Sequence, residues 1–522
     1  MLTKPPTPPP LWAQLFDISA SPGLPLQTRL RRAVVQAILD GHLAPGAALP
    51  SSRDLAQVLG LSRNTVTSVY QQLVDEAYLE ARPRSGVFVS AGARPVAITE
   101  AHHAVDPFSP ASGDALAALP QWPRRVLRSL RDQPTLSKPD KWREFAYPFV
   151  YGTHDAQLFP TEDFRECCVR TLARSQLPQW TPDFEVDDAP DLVEQIRTRL
   201  LPKRGVFAQA DEILVTVGAQ HALYLVAEAL FDRHTTVGFE EPGYPHARNA
   251  FALRTDRLLP IPVDHDGLVV DALPSLDYVF VTPSHQSPTT RTLSLERRQW
   301  LLRKAALQDF VVIEDDYEAE NLYGGEPTPA LKSLDKTGRV VYIGSLSKNL
   351  SPALRLGFIV AHPALVAELR LLRHAMVRHP SAFLQQAYAL FVSLGHHDSH
   401  ARRVNQVLQQ RMQATLQAMA RHLPDFACTL AQGGASVWVQ MPTGETGDTG
   451  LDGGALAVQA RQHGVLIEPG DVFFMRPQQP CPYFRLRLSS IALDQIEPGV
   501  RALRDAVYTL RGSLRKTPPS TV

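Results

Sequence analysis

The chain has 522 residues, 44% apolar and 20% charged, with Lys+Arg and Asp+Glu both at 53. That length exceeds a single hydrophobic core and predicts about two to four domains. The balanced charge excludes a uniformly basic nucleic-acid binder, so any basic surface must be local.

Four cysteines, Cys167, Cys168, Cys428 and Cys481, show no C-x-x-C spacing. They argue against a disulfide framework or a metal site and predict a cytoplasmic protein. The proline-rich start has no apolar run of signal-peptide type, and no stretch is apolar enough to span a bilayer. Residues 1–23 read as a disordered lead-in, 24–91 as a compact patterned unit and 92–140 as a proline-interrupted linker with a short helix near 124–130. Residues 141–512 read as the main domain and 513–522 as a polar tail.

In the patterned unit, 26–39 places Leu30, Val34, Val35, Ile38 and Leu39 on one helical stripe. Ser51 is an N-cap with Asp54 in capping-box position. Gly60-Leu61-Ser62 forms a tight turn, and Ser62 caps a helix from Arg63 to Glu76 that buries Val66, Val69, Tyr70 and Leu73. Helix, glycine turn and helix make a helix-turn-helix. Tyr78–Ala81, Arg82–Gly86 and Val87–Val89 follow as strand, turn and strand. Seven arginines against five acidic residues leave 21–90 slightly basic.

The order Leu-Pro-Ser-Ser-Arg (49–53), Leu-Gly-Leu-Ser-Arg-Asn-Thr-Val (59–66), Tyr70, Tyr78-Leu79 and Ser-Gly-Val-Phe-Val (85–89) resembles the GntR-type winged helix-turn-helix. The resemblance implies binding to double-stranded operator DNA. Arg53 reaches phosphate, Ser62, Arg63, Asn64 and Thr65 open the recognition helix, and Arg84, Ser85 and Gly86 tip a wing into the minor groove. The chemistry fits: Arg63 donates in bidentate fashion to guanine, and Asn64 pairs with adenine or a phosphate.

From about 145 onward, strand-length apolar runs at 213–217, 237–240, 278–282, 310–314 and 340–345 alternate with helical patterns, predicting a largely parallel α/β sheet. One segment, Val341 to Phe358, delivers Ser345, Ser347 and Lys348 from a strand end and Arg355 seven residues later. Nearby cations such as Arg355 favour the neutral, nucleophilic form of the lysine, and the hydroxyls and guanidinium suit a phosphate dianion.

This segment resembles fold-type I aminotransferases, and with the head attached it is most similar to the MocR regulators. The implied architecture is multidomain: an α+β winged-helix head, then an α/β fold-type I transferase-like domain with a smaller C-terminal α/β subdomain. The resemblance implies pyridoxal 5'-phosphate as cofactor, with Lys348 as its Schiff-base lysine. Gly218, Ala219 and Gln220, at a helix start, face the phosphate with Ser345, Ser347 and Arg355. Tyr244, in Glu241-Pro242-Gly243-Tyr244-Pro245, stacks on the ring. Asp315 pairs with the pyridine nitrogen, and Tyr317 bonds the ring hydroxyl. Arg485 receives an effector carboxylate, with Arg487 on the same strand face as the fallback. His285 and His246 are effector-facing side chains. The fold also implies a head-to-tail homodimer.

Two departures stand out. Thr282 to Thr290 carries Ser287 where the enzymes hold an asparagine, and 184–191 lacks the tyrosine and glycine of a segment that contacts the neighbouring subunit's phosphate. Two readings follow: a transcription regulator sensing pyridoxal phosphate, an amino compound or both, and an aminotransferase with an accessory DNA-binding head. The fused head and the missing asparagine favour the regulator.

Overall fold

The computed structural model describes residues 11–16, 18, 23–92, 122–126, 129–131, 133–150, 155–183, 187–318, 320–321, 323, 328–346, 348, 350–429, 433–442 and 450–516. It divides into two compact units, Met1–Arg125 and Val126–Val522.

In the first unit, helix Leu26–Leu39 buries Leu30, Val34 and Ile38, one turn apart, together with Ala37. Val35 is only half-buried and Leu39 lies exposed, so the core-facing stripe is narrower than the periodicity predicts. Ser51 caps helix Ser52–Leu59, and Gly60 ends it at φ +65°. The next helix, Arg63–Asp75, is capped by Ser62 and buries Val66, Val69, Tyr70 and Leu73. Strands Leu79–Arg82 and Gly86–Val89 pair antiparallel, Leu79 opposite Val89. The lead-in is less loose than its prolines suggest. Leu11–Leu15 is helical, and Phe16 is fully buried against this core. One large aromatic repays the ordering of a short segment. The short linker helix falls at Trp122–Arg125.

The second unit is built on an eight-stranded sheet. Its order is Ile213–Thr216, Gly357–Val360, Val340–Ser345, Val311–Asp316, Tyr278–Val281, Thr236–Glu241, Arg257–Asp264 and Gly267–Leu268. The middle pairings are parallel. Gly357–Val360 runs antiparallel to both neighbours. The segment joining it to Val340–Ser345 is too short for the crossover that a parallel pair requires. Apolar clusters cover both faces of the sheet.

A smaller four-stranded sheet, ordered Ala427–Cys428, Ser436–Gln440, Tyr483–Arg487 and Glu468–Pro469, packs with helices His396–His422, Gly453–Gln462 and Leu493–Lys516. The loops at the carboxyl ends of the parallel strands, where open α/β sheets hold their ligands, face a cavity.

Candidate functional site

The cavity measures about 270 Å³ and is lined by Ala219, Gln220, Leu223, Tyr244, His246, Ser287, Asp315, Tyr317, Ser345, Lys348, Pro352, Arg355, Arg485 and Arg487. Of the residues singled out in the sequence for this site, Ser347 lies outside the described residues. Gly218 stands at the cavity's edge, His285 lies off it, and the others line it. Leu223 and Pro352 are additions.

One end is built for an anion. Gly218 opens helix Gly218–Leu230, whose first turn has no side-chain cap, so its N–H groups are available. Gly218 has φ +75°, and a Cβ there would come 3.1 Å from the Arg355 guanidinium carbon. Only glycine allows this approach. Arg355 Nη2 donates to the Val217 carbonyl at 3.1 Å.

The middle holds Asp315, Tyr317 and Lys348. Strand alternation sends Asp315 and Asp316 to opposite sides. Asp316 Oδ2 accepts from Arg204 Nε at 2.8 Å and from the Tyr342 hydroxyl at 2.9 Å, while its Oδ1 is buried without a hydrogen-bond partner. A second cavity of about 310 Å³ borders this Asp316 side. Asp315 is 3% exposed, and its Oδ1 is buried without a hydrogen-bond partner. Burial pushes its carboxyl up to about 7, against the opposing charge of Lys348. Lys348 Nζ sits 4.9 Å from the Tyr317 ring centroid, and burial raises the Tyr317 hydroxyl. A buried acceptor beside an amine invites a cationic N–H donor from a ligand.

The far wall is made by Tyr244, which precedes helix Pro245–Ala252. Its hydroxyl is 3.3 Å from His246 Nδ1, and Gln220 Nε2 donates to the His246 carbonyl at 3.1 Å. Ser287 is held by its N–H on the Thr282 hydroxyl, 3.0 Å away. His285, by contrast, does not line this cavity. It is 2% exposed, and neither ring nitrogen has a hydrogen-bond partner.

The arginine wall differs most from expectation. Arg485 Nε donates to Glu468 Oε2 at 2.6 Å, and Arg487 is ion-paired with Glu318. Both arginines face the cavity already engaged by carboxylates of the chain itself. Glu468 follows the apolar run Val465–Ile467, and Glu318 follows Tyr317. Neither announces its partner in sequence. In the altered segment, Phe184 lies outside the described residues, while Asp188 pairs with Arg370 at 2.8 Å and with Arg373.

In the first unit, Arg53, Ser62, Arg63 and Asn64 are exposed, and Thr65 is half-buried. Thr65 N–H donates to the Ser62 hydroxyl at 3.1 Å, fixing the helix start. The wing tip bends through Arg84 at φ +64° and Gly86 at φ +112°, leaving Arg84, Ser85 and Gly86 exposed. Arg82, next to it, is tied to Glu80 and lies 4.4 Å over the Phe88 ring.

Two family models match: "Bacterial regulatory proteins, gntR family" over 26–89 and "Aminotransferase class I and II" over 185–503. The HTH-type transcriptional regulator TauR of Rhodobacter capsulatus is 40% identical, over 92% of this chain and 96% of its own length. The probable rhizopine catabolism regulatory protein MocR of Rhizobium meliloti is 32% identical, over 94% and 95%. The chain belongs to the MocR-type transcriptional regulators. For this MocR-type chain the solved structure of LysN, an α-aminoadipate aminotransferase of Thermus thermophilus complexed with N-(5'-phosphopyridoxyl)-L-leucine, superposes with a TM-score of 0.64. It is 28% identical and covers 72% of this chain and 96% of its own. Head and aminotransferase-like body of the MocR-type regulator thus each have their own family, joined in one polypeptide.

Proposed function

We propose that the chain is a cytoplasmic, DNA-binding transcriptional regulator whose aminotransferase-like domain holds pyridoxal 5'-phosphate on Lys348 and responds to a small amino compound. The observation that carries the cofactor reading is the buried, unpartnered Asp315 oxygen in the same cavity as the Lys348 amine. A protonated pyridine nitrogen supplies the donor that Asp315 lacks. The Gly218 edge, with its uncapped helix start and Arg355, fits a phosphate dianion.

When bound, the cofactor supplies an aldehyde that joins a primary amine and a ring that withdraws electrons. The chain's residues do the rest. Lys348 anchors, and Asp315 keeps the ring nitrogen protonated. Tyr317 and Ser287 address the ring hydroxyl, and Tyr244 stacks on the ring face. Gly218, Ala219, Gln220, Ser345, Ser347 and Arg355 receive the phosphate. The phosphopyridoxyl group in LysN and the regulator names of TauR and MocR support this division of labour.

In the head (24–91), Arg63 and Asn64 read bases, Arg53 binds phosphate with the Ser62–Thr65 helix start, and Arg84 to Gly86 enter the minor groove. A head-to-tail homodimer of the ligand domain (141–512) places two heads on two half-sites.

Two measurements test the reading. Borohydride reduction of cofactor-loaded protein, then peptide mapping, is expected to find the phosphopyridoxyl adduct on Lys348. A mobility-shift assay on DNA upstream of the protein's own gene is expected to show specific binding that the cofactor or an amine alters. An adduct elsewhere, or no specific complex at moderate salt, overturns it.

A further inference from the structure

Arg485 and Glu468 stand directly opposite each other on neighbouring antiparallel strands. Their Nε–Oε2 separation is 2.6 Å, and both side chains are 4% exposed. The Phe473 ring covers the guanidinium, its centroid 4.6 Å from Cζ. A desolvated pair under an aromatic lid is costly to open, because parting it leaves two buried charges exposed to each other's absence. Arg487 is matched in the same way by Glu318. Burial pushes that carboxyl up, but Arg487, Lys348 and His285 outweigh burial and hold it at about 2.

Lys348, Arg355, Arg485 and Arg487 are the cations lining the cavity among the described residues. Lys348 is the anchor and Arg355 faces the phosphate end, while Arg485 and Arg487 each answer a carboxylate of the chain. A ligand carboxylate reaching for Arg485 must displace Glu468 or sit beside its negative charge. Like charges at that spacing repel strongly at low dielectric.

We infer that Glu468 is a specificity-determining residue that selects primary amines without a carboxylate on the amine-bearing carbon and disfavours α-amino acids. The inference rests on the cofactor reading above and names the ligand class for that same site. Glu468 acts through Arg485, so it is a positioning residue.

The test is calorimetric titration of full-length, cofactor-loaded protein with two probes of one carbon skeleton. These are L-alanine and isopropylamine, which carries a methyl group where alanine carries its carboxylate. Wild type is expected to bind isopropylamine at least about tenfold more tightly than L-alanine. Glu468→Gln keeps the shape and removes the charge. It is expected to raise the alanine-to-isopropylamine affinity ratio at least about tenfold.

A general packing defect would weaken both probes and leave the ratio in place. The inference is overturned if wild type binds L-alanine as tightly as isopropylamine, or if Glu468→Gln leaves the ratio where it was. Should that variant fail to fold, the wild-type ratio decides alone. Failure of the cofactor reading appears separately, as absence of the Lys348 adduct before any amine is added.

Discussion

His246 Nε2 lies 3.0 Å from the Thr135 hydroxyl. His246 lines the cavity, and Thr135 belongs to the stretch that leads back along the chain toward the head. One residue away, Asn249 Nδ2 donates to the Pro134 carbonyl at 2.9 Å. The end of the linker is therefore fastened to the helix that follows Tyr244. A ligand that moves Tyr244 or His246 is expected to act on the linker through the His246 imidazole and the helix that carries it. Thr135→Val keeps the volume and removes the hydroxyl, at roughly 0.5–1.5 kcal/mol for one hydrogen bond. The ligand-dependent change in DNA affinity is expected to shrink by about threefold or more, with cofactor binding retained. Anisotropy titrations with and without an amine check this, and an undiminished response rules the route out.

Replacing Lys348 with alanine removes the only amine that Tyr317 and Asp315 share the cavity with among the described lining residues. The variant is expected to lose the covalent adduct and the response to amines, yet keep specific DNA binding, since the head is its own compact unit. Absorbance spectra and mobility shifts on the same preparation test both halves. A variant that still answers amines normally disproves the anchor.

Asp315 makes the cofactor-free protein pH-sensitive in a definite direction. Its carboxyl sits at about 7 when folded, raised from 3.8. The unfolded chain releases this proton near pH 4 and the folded chain only near 7. Between those values the folded state binds more protons, so this contribution to stability falls as pH rises. Half-buried histidines such as His221, lowered to about 4, act oppositely, so the comparison must be with Asp315→Asn. The stability of wild type minus that of the variant is expected to fall between pH 4 and 7, by up to about 4 kcal/mol as an upper bound. Denaturant titrations of stripped protein measure it, and a flat difference refutes the assignment. The variant is also expected to hold the cofactor at least about tenfold more weakly.

At the head, Arg63→Ala is expected to cost about 1–3 kcal/mol of specific DNA affinity and relax sequence preference. Arg84→Ala should weaken binding across sequences and flatten the salt dependence by about one unit. Arg82, already tied to Glu80, should matter less. Titrations at several salt concentrations separate the three, and equal effects would undo the assignment of base reading to Arg63.

Much of the head was legible because its signals are local. Ser51, Gly60 and Ser62 punctuate helices through their own backbones, and Leu30, Val34 and Ile38 repeat at the helical period. Phe16 was not legible, since a short apolar stretch behind a proline-rich start declares no partner until the core it enters exists. In the second unit, Lys348, Asp315, Tyr317 and Arg355 could be singled out because each sits at a strand end or one loop beyond it, in an order the motifs preserve.

The identity of this chain as a two-part regulator, and most of the residues that meet in its cavity, were determined by sequence alone, because caps, turns and strand ends are written in short segments. What each charged residue does inside the cavity was decided by tertiary structure. Asp315 and Asp316 are equivalent in sequence, and Arg204, from a distant segment, forms its ion pair with Asp316, while Asp315 lines the cavity with Lys348. Arg485 reads as an open carboxylate receptor until the strand pairing sets Glu468 opposite it. The physical reason is that burial and ion pairing act between segments far apart in the chain, and only the folded backbone fixes which charges share a dry space.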